Sequence, residues 1–265
     1  MKSLSKKMVL TCGALFYRLD WLRLAIGLAA VLAALQWASG AARAVTFIEQ
    51  AERLQHINAF LLDLRPGQPP RVPDETVLDF ALEILPAPDI DNRVGAKDEP
   101  IASPAAIPRL RLRYITASGF MVGGTWNPDV EFEGYRAPWT GWEVGYRFVL
   151  AGLHTELRLF AISVQVVGPI ADKGAEDEFD VYNRGGDLRL GVPLGAAMIY
   201  AGGGEGRSES TLRIESDGAR LDAETTYTYI LAGVGGEWGP MTFTYEQYWS
   251  EDYLQHYSIS ASVRF

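Results

Sequence analysis

The chain has 265 residues, with 24 Lys and Arg against 33 Asp and Glu, a formal net charge of −9, and 48% hydrophobic residues. The acid excess excludes a partner held through its phosphate backbone, because such contacts need a basic surface, so no nucleic acid is expected. Cys12 is the only cysteine, which excludes a disulfide framework.

Residues 1–44 read as an export signal. Lys2, Lys6, Lys7, Arg18 and Arg23 precede or flank the apolar run from Leu24 to Leu35, and Ala42-Arg43-Ala44 fits small-x-small cleavage after Ala44. The run is shorter than the roughly 20 residues that cross a bilayer, so a cleaved signal is favoured over an anchor. Val9-Leu10-Thr11-Cys12 has a faint similarity to a lipoprotein acylation site, but Thr11 and the apolar run beyond the cysteine argue against it. Removing 6 bases and 1 acid leaves 18 against 32, a mature net charge of −14. No later stretch is long and apolar enough for a membrane helix, so a mature chain that enters a membrane does so as a closed barrel.

Residues 45–75 form a separate N-terminal region. Thr46 and Glu49 fit a capping box, and Ile48, Ala51, Leu54, Ile57 and Leu61 recur at helical spacing up to Pro66-Gly67. This short amphipathic helix is expected in the periplasm, its apolar face lying on the inner leaflet, plugging the barrel mouth or packing on a partner. Surface docking resembles the amphipathic N-terminal helix of some small outer-membrane enzymes. Arg65-Pro66-Gly67-Gln68-Pro69-Pro70-Arg71-Val72-Pro73 reads as a stiff, extended linker to the next region.

Residues 76–265 read as an all-β, transmembrane, antiparallel up-and-down barrel. About ten strands are expected, over 76–85, 107–116, 119–126, 140–150, 154–167, 184–193, 196–215, 219–238, 240–248 and 254–265. An extra or missing hairpin would make twelve or eight. Short turns at Ala117-Ser118, Ala151-Gly152-Leu153, Pro193-Leu194-Gly195 and Gly239-Pro240 alternate with long loops at 86–106, 127–139, 168–183 and around 205–224. Ser216-Asp217-Gly218 is the tip expected of the longest hairpin. Trp126, Trp139, Trp142, Tyr248, Trp249 and Tyr253 near one set of strand ends, with Trp238 and Phe265 at the other, suggest two aromatic girdles.

The chain ends in unbroken alternation, with Tyr257, Ile259, Ala261, Val263 and Phe265 on one face and His256, Ser258, Ser260, Ser262 and Arg264 on the other. This ending resembles the closing strand of Gram-negative outer-membrane β-barrels, the small closed-barrel class. The resemblance implies the cell outer membrane, outer-membrane lipids and lipopolysaccharide as partners, and a terminal Phe265 read by the barrel-assembly machinery. It also places the short turns in the periplasm and the long loops outside.

Turning the apolar parity toward lipid leaves Asp79, Glu83, Glu143, Glu156, Asp187, Glu237 and Glu246 facing inward, with Arg109, Arg111, Arg113, Arg147, Arg158, Arg189 and Arg264. Seven acids and seven arginines, with no lysine, suit an interior braced by guanidinium–carboxylate pairs. The balance favours a largely closed polar lumen over a channel with one sign of charge at its constriction. In 154–167 the phase conflicts, since Glu156 and Arg158 share a face with Phe160 while Ser163 and Gln165 do not; a bulge near Phe160-Ala161 would reconcile them.

Chemistry-bearing motifs are sparse. His256-Tyr257-Ser258 resembles the His-x-Ser pair of outer-membrane lipid A 3-O-deacylases, with Glu246 on the neighbouring strand as the third group a base needs. Ile259 stands where that family has Asn, no acid follows Ser258, and parity turns the pair away from lipid. His154 is read as a solvated turn residue, and His56 as an isolated helix residue. An omptin-type protease would need acidic dyads beside a rim histidine, and Asp252 with His256 supplies no such pair. No transition-metal site is expected, although Asp89, Asp91, Asp98 and Glu99, and Asp172, Glu176, Asp177, Glu178 and Asp180, could hold Ca²⁺ or Mg²⁺ loosely in the outer loops. Gly202-Gly203-Gly204-Glu205-Gly206 is expected where the wall bends or packs closely. The expected role is a structural or envelope one, or the binding of a ligand or partner, with a narrow solute channel and a lipid-modifying hydrolase as alternatives. The sequence leaves the oligomeric state open.

Overall fold

The computed structural model describes residues 55–57, 60–86, 106–127, 129, 131–132, 134–170, 176–216, 218–250 and 255–265. The expected signal, the capping box, the first acidic loop and Asp252 lie outside these residues.

Ten strands pair in sequence order and close on themselves. They are β1 (Val77–Pro86), β2 (Ala106–Ile115), β3 (Phe120–Asn127), β6 (Trp139–Leu150), β7 (Leu153–Gly168), β8 (Asp177–Leu194), β9 (Ala197–Arg213), β10 (Arg220–Trp238), β11 (Met241–Ser250) and β12 (Gln255–Arg264). Between β3 and β6, β4 (Glu131–Phe132) and β5 (Tyr135–Arg136) form a small ribbon that meets β7 at Arg136 and Val167. The seam is antiparallel β1–β12 pairing, from Asp79 opposite Arg264 to Ile84 opposite Ile259. The main chain of Phe265 continues it, exchanging hydrogen bonds of 3.0 and 2.9 Å with Leu78. Closure leaves no free edge among these staves.

Alternation then sorts the side chains. Leu78, Phe80, Leu82 and Ile84 on β1 are exposed on the outer face, as are Leu188 and Leu190 on β8, while Asp79 and Glu83 between the former are buried. An apolar exterior around a polar interior inverts the usual soluble arrangement and suits a lipid surround. The wall is uneven. β1, β2 and β3 have 10, 10 and 8 residues, whereas β8, β9 and β10 have 18, 17 and 19, so one side stands taller at the long-loop end.

Several expectations change. The strand expected at 184–193 begins at Asp177, so Glu178 and Asp180 belong to the outer face of the tall wall and pair with Arg213 rather than decorating a loop. β7 has no bulge: its register against β6 is continuous through Phe160 opposite Glu143 and Ala161 opposite Trp142. Phe160, Ile162 and Val164 point inward because the long-loop half of the lumen is apolar, which leaves Ser163 and Gln165 outside. Trp139 and Tyr248 likewise belong to this interior and not to a lipid girdle, whereas Trp126, Trp142, Trp238 and Phe265 remain exposed. The glycine run is an unbroken part of β9. An added Cβ on Gly206 would meet the Tyr227 ring at 2.4 Å, so absence of a side chain there makes room for the facing tyrosine.

Candidate functional site

At the short-turn half of the barrel, charge fills the lumen. Asp79, Glu83, Glu143, Glu156, Asp187 and Glu246 are all buried, as are Arg109, Arg111, Arg113, Arg147, Arg158 and Arg189. Glu143 on β6 reaches Arg113 Nε at 2.7 Å and Arg158 Nη1 at 3.0 Å. Glu156 takes Arg147 Nε at 2.5 Å on one oxygen and Arg189 on the other. Glu83 pairs with Arg111 at 3.0 Å, and Asp187 with Arg158 at 2.5 Å. Glu237 and Arg264 pair at 2.7 Å near the short-turn end, where both are partly exposed. Within the buried set, removing an acid such as Glu156 would leave the guanidinium groups of Arg147 and Arg189 short of countercharge.

The segment read as a stiff, extended linker runs through this network, inside the barrel. Leu64, Arg65 and Gln68 are 0–1% exposed. The wall arginines donate to its carbonyls: Arg158 to Leu64 at 2.9 Å, Arg111 to Pro66 at 2.5 Å with Arg113 on the same oxygen, Arg189 to Gln68, and Arg147 to Arg71 at 3.2 Å. Gly67 donates its amide to Glu246 Oε2 at 2.8 Å and accepts from Ser260 Oγ at 2.5 Å. This luminal strap meets its polar main-chain needs from wall side chains, as buried backbone must.

The strap has a direction. At the short-turn end, Arg71 donates to the carbonyls of Gly195 and Ala197 at 3.2 Å, and Val72 donates to His154 Nδ1 at 3.0 Å. At the long-loop end, Gln55 donates to Leu221 O at 3.2 Å, and His56 Nδ1 lies 2.7 Å from Thr225 Oγ1. The helical stretch around Gln55–Ile57 and Phe60–Leu61 therefore sits in the long-loop mouth, away from the short turns. Its apolar residues Ile57, Phe60 and Leu61 are buried against Met198, Tyr200, Tyr227 and Leu231, which satisfies the amphipathic face without lipid.

Arg65 anchors the junction between the apolar and charged halves. Its guanidinium lies 4.0 Å from the Phe60 ring centre and 4.5 Å from that of Tyr248, a buried cation–π arrangement. Behind it, Tyr229 donates to Asp187 at 3.0 Å, and Tyr200 donates to Glu246 at 2.7 Å, with Tyr248 on the other oxygen of Glu246. The strap is thus coupled to the wall acids through both backbone and ring hydroxyls.

The hydrolase motif lies in the same filled lumen. His256 is 3% exposed and Ser258 1% exposed, both inward, and Glu246 is engaged by Gly67, Tyr200 and Tyr248. His154, expected to be a solvated turn, binds the strap, and His56 binds the tall wall. Among the described residues no group of three metal-type ligands converges. Sequence reasoning missed Arg65, Gly67, Gln68 and Ser260 as site residues.

The architecture defines a small closed β-barrel of the outer-membrane class, ten-stranded, with a filled interior. No family model matches the chain, and no curated protein matches it. Among solved structures it is similar to Ail of Yersinia pestis at 11% identity, covering 72% of this chain and 96% of that one with a TM-score of 0.27. It is also similar to the toluene transporter TodX of Pseudomonas putida, at 10% identity, 78% and 92% coverage and a TM-score of 0.34. A third is the N-terminal barrel domain of Pseudomonas aeruginosa OprF, at 12% identity, 72% and 98% coverage and a TM-score of 0.30. Likeness this faint carries no argument; the class rests on the strand pairing and the inverted polarity of the chain itself.

Proposed function

We propose that the protein is a non-conducting barrel of the Gram-negative outer membrane, closed by its own N-terminal strap, whose role is to brace the envelope and present its long-loop end to a ligand or partner. The observation that carries this reading is the buried main-chain clamp on the strap, in which Gly67 bonds Glu246 and Ser260 while Arg111 and Arg113 share the Pro66 carbonyl. A strap held in this way occupies the lumen, which favours closure over a solute path or a luminal lipid site. The presequence is cleaved after Ala44, and the exposed Phe265 side chain serves the assembly machinery. Lipopolysaccharide meets the outer face of the tall wall, where Arg184 and Arg207 pair with Glu209 and Glu224, and divalent ions associate loosely with the neighbouring carboxylates.

Planar-bilayer recording tests closure. Purified protein is expected to insert without unitary current steps, and reproducible steps of one size would overturn the reading.

A further inference from the structure

We infer that the lumen is a sequence-selective binding site for an extended, proline-containing peptide, and that residues 62–72 are its tethered ligand. This goes beyond closure. A filler needs only volume, whereas this wall reads both the backbone and the order of the side chains.

Backbone reading comes first. Arginines on β2, β6, β7 and β8 donate to carbonyls spread from Leu64 to Arg71, so donors follow the peptide from one end of the charged layer to the other. Proline has no amide hydrogen, so a proline-rich segment asks the wall mainly for donors, which guanidinium groups supply. One amide that does need an acceptor, that of Gly67, faces Glu246.

Side-chain reading fixes the register. Gly67 has φ +66°, a left-handed conformation, and an added Cβ would lie 3.0 Å from Arg111 Nη1, so the wall selects glycine there. The next residue, Gln68, donates to Ser262 Oγ at 3.1 Å. Pro69 and Pro70 rest on wall glycines: an added Cβ would meet Pro69 Cγ at 2.5 Å from Gly235, and Pro70 Cγ at 3.0 Å from Gly191. Ahead of them, Arg65 fills the aromatic box. The site therefore reads Arg-Pro-Gly-Gln-Pro-Pro by position.

Ligand and receptor are joined only at an exposed hinge, Asp74-Glu75-Thr76. A protease recognition sequence inserted between Asp74 and Glu75 of the full chain allows the tether to be cut after folding. The cut N-terminal fragment is expected to remain with the barrel through repeated dilution in micelles; its loss at the first dilution overturns the site.

Selectivity is read by unfolding the cut protein in urea and refolding it with equimolar synthetic peptides of residues 55–73, native and Gly67→Ala. Mass spectrometry of the reformed complex should find the native peptide in excess by about tenfold, the ratio that a left-handed penalty of about 1.4 kcal/mol gives. Equal incorporation overturns sequence selectivity. Current steps from an intact chain would sink the closed-lumen reading, while retention of the cut fragment would leave the peptide site standing.

Discussion

Glu143→Ala should be among the most damaging substitutions in this chain. Its carboxylate lies 2.7 Å from Arg113, 3.0 Å from Arg158 and 3.8 Å from Arg111, and all four groups are at most 2% exposed. Gly123 faces this cluster, where an added Cβ would lie 3.0 Å from both Arg113 Cγ and Glu143 Cγ, so the wall there carries no side chain of its own. Breaking one buried pair costs about 3–5 kcal/mol, and here two direct contacts go together. Arg113 and Arg158 keep other partners, in Pro66 O and Asp187, so we expect the lower part of that range, about 3 kcal/mol. Equilibrium urea unfolding in lipid vesicles, followed by tryptophan fluorescence, measures the loss. Glu143→Ala/Arg113→Ala should recover at least about 1 kcal/mol of it, as coupled neighbours do. A single variant within about 0.5 kcal/mol of the parent would refute the bracing account, since that is the range of an ordinary surface change.

Four further outcomes follow from the same geometry. Leu82→Arg, on the lipid face of β1, should cost about 2–4 kcal/mol in the vesicle assay. Gly206→Ala forces a methyl against the Tyr227 ring and should cost about 1–3 kcal/mol by the same measurement. Arg184→Ala removes an exposed 3.3 Å pair with Glu209 and should change stability by less than about 1 kcal/mol; a larger effect would mean that the tall wall is not solvated. Phe265→Ala should reduce the amount of folded protein in isolated outer membranes, read by its resistance to unfolding in cold detergent, while leaving the urea midpoint of the purified barrel unchanged.

The barrel was legible because period-two alternation sorts side chains without reference to any partner. Parity alone puts Arg109, Arg111 and Arg113 on the inner face of β2, where they lie. It failed where the interior changes character. Phe160, Ile162 and Val164 have the hydropathy of a lipid face, yet they point inward, because they pack in the lumen with Leu62 and Leu64, which follow the helical stretch. The strap was hidden for a related reason: Pro66-Gly67-Gln68-Pro69-Pro70 has the composition of a solvated linker, and nothing local says that its carbonyls are buried.

One signal was available in the charge inventory. Each guanidinium carries about five donors and each carboxylate about four acceptor sites, so seven of each leave donors in surplus. Arg111 and Arg113 direct theirs to Pro66 O, and Arg158 to Leu64 O. A balanced net charge concealed an unbalanced hydrogen-bond count. The hairpin at 184–215 was underestimated because Glu178 and Asp180 look like loop residues until they meet Arg213 across the strand.

Hydrogen exchange of the strap amides tests the central claim most directly. Leu64, Gly67 and Gln68 sit between the charged wall and the apolar mouth, and the Gly67 amide is held by buried Glu246. In the folded protein in micelles these amides should exchange as slowly as those of the barrel strands, at least about a thousandfold below an open peptide, because both are released only by opening of the barrel. Exchange at open-peptide rates while the strands stay protected would place the strap outside the lumen and contradict the account.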